Sequence, residues 1–394
     1  MDIHGRSVDT LQSISKISFS KSSHTLTLST LSLRQLSGAM PLDTIYLTRH
    51  GHRMNWTIDH TTGSYHSNFP TPTGNPADPT LTAHGVRQSQ ELAAHVASAG
   101  FAPKPWRVYC SPFYRCLQTI QPSVEALKKI SSSSSPSEED GVEVDLDVRI
   151  ENGLGEWFGS STFFSHPSPA SASTLQSLFP TIIQPNPEEH YTAHVIPSNR
   201  GETISQLHHR VATTLAAIIA DVDAEIAALE ASLPPSSPLR TSSKAILICS
   251  HAAPLIAMGR ALTGNMPEDV NTEDFNVFTA GLSTFVRRQR KPSSDAGPAT
   301  ASSEEEKTPY RNHDHNLLAP GTRLDPPTLT VPDWTGGKGV GGGWDCVANG
   351  DCSFLSGGAE RGWHFNGEES FDTGPMGPTS NNDDSSTSSG PAKL

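Results

Sequence analysis

Basic charge is scarce in this 394-residue sequence: 28 Lys and Arg stand against 41 Asp and Glu, a formal net charge of −13 at pH 7. That balance argues against a general nucleic-acid-binding surface, so no direct nucleic-acid contact is expected. Long apolar runs are missing too. A membrane-spanning helix needs about 18 or more consecutive apolar residues, and none is found, so no membrane association is expected. The five cysteines follow no repeated spacing. Cys110, Cys116 and Cys249 lie in apolar or helical segments and read as reduced core residues, which fits a cytoplasmic or nuclear location. Cys346, Cys352 and His364 suggest zinc, but their spacing fits no usual ligand pattern and a fourth ligand is missing. No metal or cofactor is expected. Apolar content is low at 35%, and Gly and Pro number 31 each. A good part of the chain is therefore expected to be irregular.

What the chain does have is three apolar strands, each ending in phosphate-type chemistry. The first, Thr44-Ile45-Tyr46-Leu47, reads as a buried strand and runs into Arg49-His50-Gly51-His52-Arg53. Gly51 is expected to let the backbone turn sharply beside His50. A histidine between two arginines is costly as a structural choice, because charged residues are seldom buried without partners. It suits a site where arginines hold a phosphate dianion and neutral His50 attacks phosphorus. The second strand, residues 106–110, precedes Ser111 as expected N-cap, Pro112 at the first helical position, and Arg115 in the first turn. The third, residues 245–249, leads through Ser250-His251 into another helix. Open α/β sheets hold ligands at the carboxyl ends of their strands. The expected fold class is α/β: a three-layer α/β/α sandwich with a mostly parallel central sheet, plus a small irregular or β C-terminal segment.

In these motifs the chain resembles the histidine phosphatase superfamily, in its phosphoglycerate-mutase-like branch. The resemblance rests on Arg49-His50-Gly51 with Arg53, on Ser111-Pro112 with Arg115 and Gln118-Thr119, and on Ser250-His251-Ala252. Asp78-Pro79 with Leu81-Thr82 and Gly85, and Gly201-Glu202-Thr203 with Arg210, sit where the family has connecting motifs. The resemblance implies that His50 becomes phosphohistidine and that Arg49, Arg53, Arg115 and His251 form the phosphate pocket. It also implies that Glu156 protonates the leaving group and that Asn55 and Trp56 border the site as substrate contacts. The implied activity is a metal-independent phosphatase acting on a phosphorylated small molecule or a phosphoprotein. His52-Arg53 replaces the Glu-Ser usual in mutases, and Ala252 replaces the aspartate that marks the acid-phosphatase and phytase branch. Fixed arginine charge should keep His50 neutral. Glu156 must stay protonated against the same charge, and Trp157 and Phe158 are expected to help by making the site apolar.

Around this frame, residues 1–39 read as a disordered or targeting extension, or as a start placed ahead of Met40. Residues 40–291 form the expected catalytic domain, with 158–199 as a cap that selects substrate. Within it, 82–98 and 203–231 read as helices, 142–148 as a strand near an edge, and 274–287 as two edge strands split at Gly281. The run Arg287-Arg288-Gln289-Arg290-Lys291 reads as a nuclear-type signal, a phosphate patch or a strand's solvated end. A linker is expected over 292–330, a Gly/Trp-rich segment over 331–374 and a disordered tail over 375–394. The aromatics of 331–374 must bury against something, either the catalytic domain or a partner. Residues 344–371 of that segment and residues 41–56 are similar to fungal proteins related to the histidine-phosphatase-like subunit of the RNA polymerase III factor TFIIIC. This second resemblance implies a scaffold role, with the C-terminal part binding another subunit of a transcription complex.

Overall fold

The computed structural model describes residues 41–59, 61–133, 144–289 and 317–365. The expectations for 1–39, 375–394, Arg290 and Lys291 lie outside them. In chain order the strands are β1 (Thr44–Arg49), β2 (Trp56–Asp59), β3 (Ser64–Ser67), β4 (Pro105–Cys110), β5 (Val148–Ile150), β6 (Val195–Ile196), β7 (Ala245–Ser250), β8 (Leu282–Arg287), β9 (Arg323–Leu324) and β10 (Trp344–Asp351). The α-helices are α1 (Ala83–Ala97), α2 (Tyr114–Ser133), α3 (Ala172–Leu178), α4 (Pro187–His190), α5 (Ile204–Ser232) and α6 (Ala252–Thr263). The main sheet has the order β10-β8-β1-β7-β4-β5. β1, β7, β4 and β5 run parallel, and β8 and β10 are antiparallel additions on one side.

Alternation along the parallel strands builds the layers. Ile45, Leu47, Ile246 and Ile248 pack with Leu215, Ile218, Ile256 and Leu262 of α5 and α6. Tyr46, Leu247, Val108 and Cys110 face the other way and pack with Leu92, Val96, Leu117 and Ile120 of α1 and α2. Side chains alternate across a strand, so each apolar strand buries both faces and needs helices on both. The result is a three-layer α/β/α sandwich. β1, β4 and β7 are parallel neighbours, so Arg49, Cys110 and Ser250, their last residues, sit at one edge of the sheet.

Several local expectations are revised. Residues 144–147 are not strand, and β5 begins at Val148 on the sheet edge. Residues 274–281 are not strand either, and β8 is internal because β10 pairs outside it. Arg287 is no solvated cation: it bonds both oxygens of Asp223 at 2.8 and 2.9 Å and the carbonyl of Leu42 at 3.0 Å, and it stacks over Trp344. Arg288 pairs with Asp345 at 2.7 Å. The Gly/Trp-rich segment supplies the sheet's outer strand, with Trp344 wholly buried and its indole N–H on the carbonyl of Val340 at 3.1 Å. Gly51 is not at positive φ, so no left-handed turn requires it. Its role is close packing, because a Cβ there would lie 2.9 Å from the carbonyl oxygen of Gly85.

Candidate functional site

His50 follows β1 directly, and its backbone N–H donates to the carbonyl of Ser250 at 3.0 Å, which continues the sheet ladder by one residue. The ring is 2% exposed. Its Nδ1 lies 2.8 Å from the carbonyl of Gly51. A carbonyl only accepts, so Nδ1 carries the proton and the Nε2 lone pair is left free. Burial pushes the His50 pKa well below its usual value, and Arg115, Arg49, His251 and Arg53 push it further the same way. The imidazole is therefore neutral, oriented and surrounded by cations.

Arg115 lies in the first turn of α2 and is wholly buried. One side of its guanidinium meets Asp78 Oδ1 at 3.2 Å and the carbonyl of Ala77 at 3.0 Å. The other side meets Glu156 at 3.0 Å and approaches His251 Nδ1 at 3.2 Å. The α2 cap differs from the one Ser111 was expected to provide. The Asp78 carboxylate accepts the Tyr114 N–H at 2.8 Å, and Ser111 Oγ instead lies 2.7 Å from His251 Nε2. Asp78 thus caps the helix that carries Arg115 and pairs with Arg115 itself, while Ser111 orients His251.

Glu156 stands on a loop after β5, and that loop is held from behind. Arg210 on α5 grips Glu202 with three hydrogen bonds of 2.5–3.1 Å and donates to the carbonyls of Gly153 and Gly155 at 2.8 and 3.1 Å. Ser250 Oγ donates to the carbonyl of Leu154 at 2.7 Å. These fixed points set the Glu156 carboxylate 3.2 Å from His251 Nδ1. Burial alone would raise the Glu156 pKa, but His251 and Arg115 outweigh it and hold the carboxyl well below the usual range. Burial opposes protonation of His251, yet its neighbours Cys116 and Glu156 raise its pKa. The free protein therefore favours an ionised Glu156 beside His251, not the protonated Glu156 expected of an acid in waiting. The Trp157 indole N–H donates to the carbonyl of Glu202 at 3.1 Å, which fixes that ring beside the loop.

The remaining candidates fall into two groups. Arg49 belongs to the cluster electrostatically, and burial lowers its pKa to about 10. Its Nη1, however, donates to the backbone carbonyls of Val277 at 2.9 Å and Arg361 at 2.5 Å. Arg53 lies 5.7 Å above the Trp56 ring, near enough for His50 to feel its charge. Trp56 is buried in an aromatic group with Tyr65 and Phe158, at ring distances of 5.3 and 6.4 Å. Trp56 thus packs the hairpin β2–β3 against Phe158, the first residue of the expected cap. Asn55 lies half-buried between Arg53 and Trp56.

His50, Glu156 and His251 bring their ligating atoms within 4.8 Å of one another. Two histidines and a carboxylate have the donor chemistry of a zinc site. A guanidinium already bonded to the carboxylate at 3.0 Å opposes a divalent cation there and favours an anion. Cys346, Cys352 and His364 form no such group among the described residues. Among the described residues no helix is long and apolar enough to cross a membrane.

Sequence reasoning quoted Asp78 and Arg210 only as motif members and gave them no task. It missed Ser111 as a partner of His251, although Ser111 and Ser250-His251 both follow parallel strands, which was the available signal. It also missed residues 360 and 361, for which the sequence carries no local signal.

Residues 45–159 match the histidine phosphatase superfamily (branch 1). The chain is 27% identical over 329 residues to the transcription factor tau 55 kDa subunit of Saccharomyces cerevisiae, an alignment covering 83% of this chain and 59% of that protein. The chain thus spans less than two thirds of that relative's length. Among solved structures it is similar to the ecdysone phosphate phosphatase of the silkworm Bombyx mori in complex with tungstate, at 17% identity and TM-score 0.41, covering 66% of this chain and 98% of that one. It is also similar to the α-ribazole phosphatase of Shigella flexneri, at 20% identity and TM-score 0.33, covering 62% and 91%. With its motifs in order and its sheet in three layers, this chain carries in residues 45–159 the signature of the histidine phosphatase superfamily, branch 1.

Proposed function

We propose that the protein is a phosphomonoesterase that works through a phosphohistidine on His50. The observation that carries this reading is a neutral imidazole, its Nδ1 turned to the Gly51 carbonyl, set among Arg49, Arg53 and Arg115. Phosphoryl transfer needs little more than an aligned nucleophile and fixed positive charge. The Nε2 lone pair forms the N–P bond as the ester P–O bond breaks, and the leaving oxygen takes a proton from the Glu156–His251 pair. A dianion arriving beside that pair raises the proton affinity of both members. Glu156, whose side chain is 19% exposed against 0% for His251, is the member that can meet the leaving oxygen. Water then attacks phosphohistidine with Glu156 as base, which releases phosphate and restores His50. The substrate is a phosphorylated small molecule or a phosphoprotein, admitted past residues 158–199 acting as a cap.

The test is hydrolysis of an aryl phosphate by the purified chain and by His50→Ala, with and without chelator. Turnover that disappears in the variant and ignores chelator supports the reading. No turnover by the unaltered chain overturns it.

A second reading has its own support in the similarity to the transcription factor tau 55 kDa subunit over 83% of this chain. In it the protein is a nuclear subunit of a transcription assembly, and residues 331–374 bind a partner subunit. Co-purification of the full chain with such subunits, lost when the outer face of β10 is altered at Val347, is the expected result. Recovery of no transcription-factor subunit overturns it.

A further inference from the structure

The loop that carries Glu156 has a second anchor, at the residue that follows β5. Glu151 is wholly buried, and its N–H donates to the carbonyl of Cys110 at 3.0 Å, which extends the pairing of β4 and β5 by one residue. Its carboxylate accepts four hydrogen bonds: Oε1 takes the N–H groups of Gly153 at 2.8 Å and Val195 at 3.2 Å, and Oε2 takes the Tyr191 hydroxyl at 2.7 Å and the His194 N–H at 2.8 Å. Gly153 belongs to the 3-10 turn Asn152–Leu154 that leads to Glu156. The other donors belong to residues 191–195, near the far end of the expected cap. Gly153 is thus held at both of its backbone polar groups, its N–H by Glu151 and its carbonyl by Arg210 at 2.8 Å. Space there is tight, because a side chain on Gly153 would collide with Thr214 of α5. Residues 191–195 are fixed in their turn. His194 Nε2 lies 2.9 Å from Asp221 of α5, and Val195 pairs with Leu324 of β9.

None of the four donors on Glu151 is a lysine or an arginine. No side-chain ion pair of that kind offsets the cost of burying this carboxylate. A carboxylate suits the place by geometry, since its two oxygens offer about four acceptor positions, and here each oxygen receives two donors. Burial pushes the Glu151 pKa up, and the donors from His194, Tyr191 and Gly153 oppose that. A glutamine would fit the same space but would turn its amide N–H groups towards two of the four donors. It therefore loosens the clamp without opening a cavity.

We propose that Glu151 is a positioning residue for Glu156, its carboxylate clamping the loop 152–156 to residues 191–195 so that the seat of the proton donor depends on the far end of the cap. The inference deepens the phosphatase reading and rests on it. Glu151 itself stays out of the chemistry, wholly buried among donors that it already satisfies.

The experiment uses the full chain, with Glu151→Gln, Glu156→Gln and the double variant, on phenyl phosphate and on nitrophenyl phosphate, whose leaving group needs the proton less. Glu151→Gln should lower kcat for phenyl phosphate about tenfold or more and for nitrophenyl phosphate less than about threefold, with KM within about twofold. In the Glu156→Gln background, Glu151→Gln should cost almost nothing further, as residues acting through one group are not additive. Equal losses on the two substrates, or a full further loss in the double variant, would mean that Glu151 serves stability alone and would overturn the proposal. Tyr191→Phe removes one donor and leaves the other three, so it carries the same comparison, with smaller effects, if Glu151→Gln does not fold. A second readout needs no turnover. Amide hydrogen exchange over residues 152–157 should quicken about tenfold or more in Glu151→Gln while β1 and β7 keep their protection. Unchanged exchange over 152–157 overturns the proposal. An unaltered chain without turnover, whose loop exchange still depends on Glu151, would defeat the enzymatic reading and leave the clamp standing.

Discussion

The ends of β1, β4 and β7 and the strap formed by residues 352–365 meet at one cluster of side chains, but they reach it by different physics. The strand ends arrive through regular structure. Parallel pairing of β1, β7 and β4 fixes where the residues after Arg49, Cys110 and Ser250 must be. The strap has no strand or helix after Asp351, and it is held by individual contacts: Glu360 on His84 and Gln88, Arg361 on Arg49, Trp363 and Phe365 on Trp157. A site can therefore be half framework and half attachment, and the two halves should fail differently when altered.

The largest effect belongs to the framework half. His50→Ala should lower kcat/KM for an aryl phosphate by on the order of 10³-fold or more, since losing a covalent nucleophile leaves only binding and electrostatic assistance. The phosphorylated intermediate should also vanish from acid-labile labelling. Glu156→Gln should cost about 10²–10⁴-fold in kcat, most strongly with poor leaving groups that need the proton. Equal losses for good and poor leaving groups would remove Glu156 from that role and leave it a partner of Arg115 and His251.

Trp344→Ala bears on how far the C-terminal segment is part of the body. Truncating this wholly buried side chain should cost about 3–5 kcal/mol in denaturant unfolding. A single cooperative transition shifted as a whole would mean that β10 belongs to the same folding unit as β1. Two separated transitions would mean that it is an attachment, like the strap.

A smaller effect is set by pH. Burial is the main cause that lowers the pKa of His208 to about 4, below the 6.5 of an exposed histidine. Below pH 6.5 the unfolded chain takes up a proton that the folded one refuses, so this stabilisation is complete above 6.5 and is lost as pH falls towards 4. Melting temperature should drop across that window, and His208→Gln should flatten the drop. His50 is also held neutral, so turnover per folded molecule should not decline through its protonation as pH passes below 6.5. The smallest effect should come from Glu360→Gln. Its partner is half-exposed, so stability should change by less than about 1 kcal/mol in thermal melts. A much larger loss would mean that the strap is held as firmly as the sheet.

The legibility of the site follows the same division. His50, Arg115 and His251 could be picked out because each stands just after a short apolar strand, where side-chain alternation and chain direction leave little freedom. Ser111 was misread because serine before Pro112 is an ordinary cap signal, and the cap was taken by Asp78, which lies 36 residues from Tyr114. The protonation of Glu156 was unreadable for a related reason, since it depends on His251 at 3.2 Å and Arg115 at 3.0 Å. Coulombic terms depend on distance in space, which sequence spacing does not supply.

By itself, then, the sequence determined the β/α alternation, the two-sided burial of β1, β4 and β7, and the identity of the groups at their ends. These follow from local periodicity and the hydrophobic effect, which need no partner of stated address. Only the tertiary structure decided that β10 completes the sheet beyond β8, that Arg210 holds the Glu156 loop by its carbonyls, and that Arg361 rests on Arg49 across 312 residues of chain. Those contacts pair single polar groups from segments without periodicity, and a backbone carbonyl, which every residue carries, leaves no mark in the sequence of where its donor will come from.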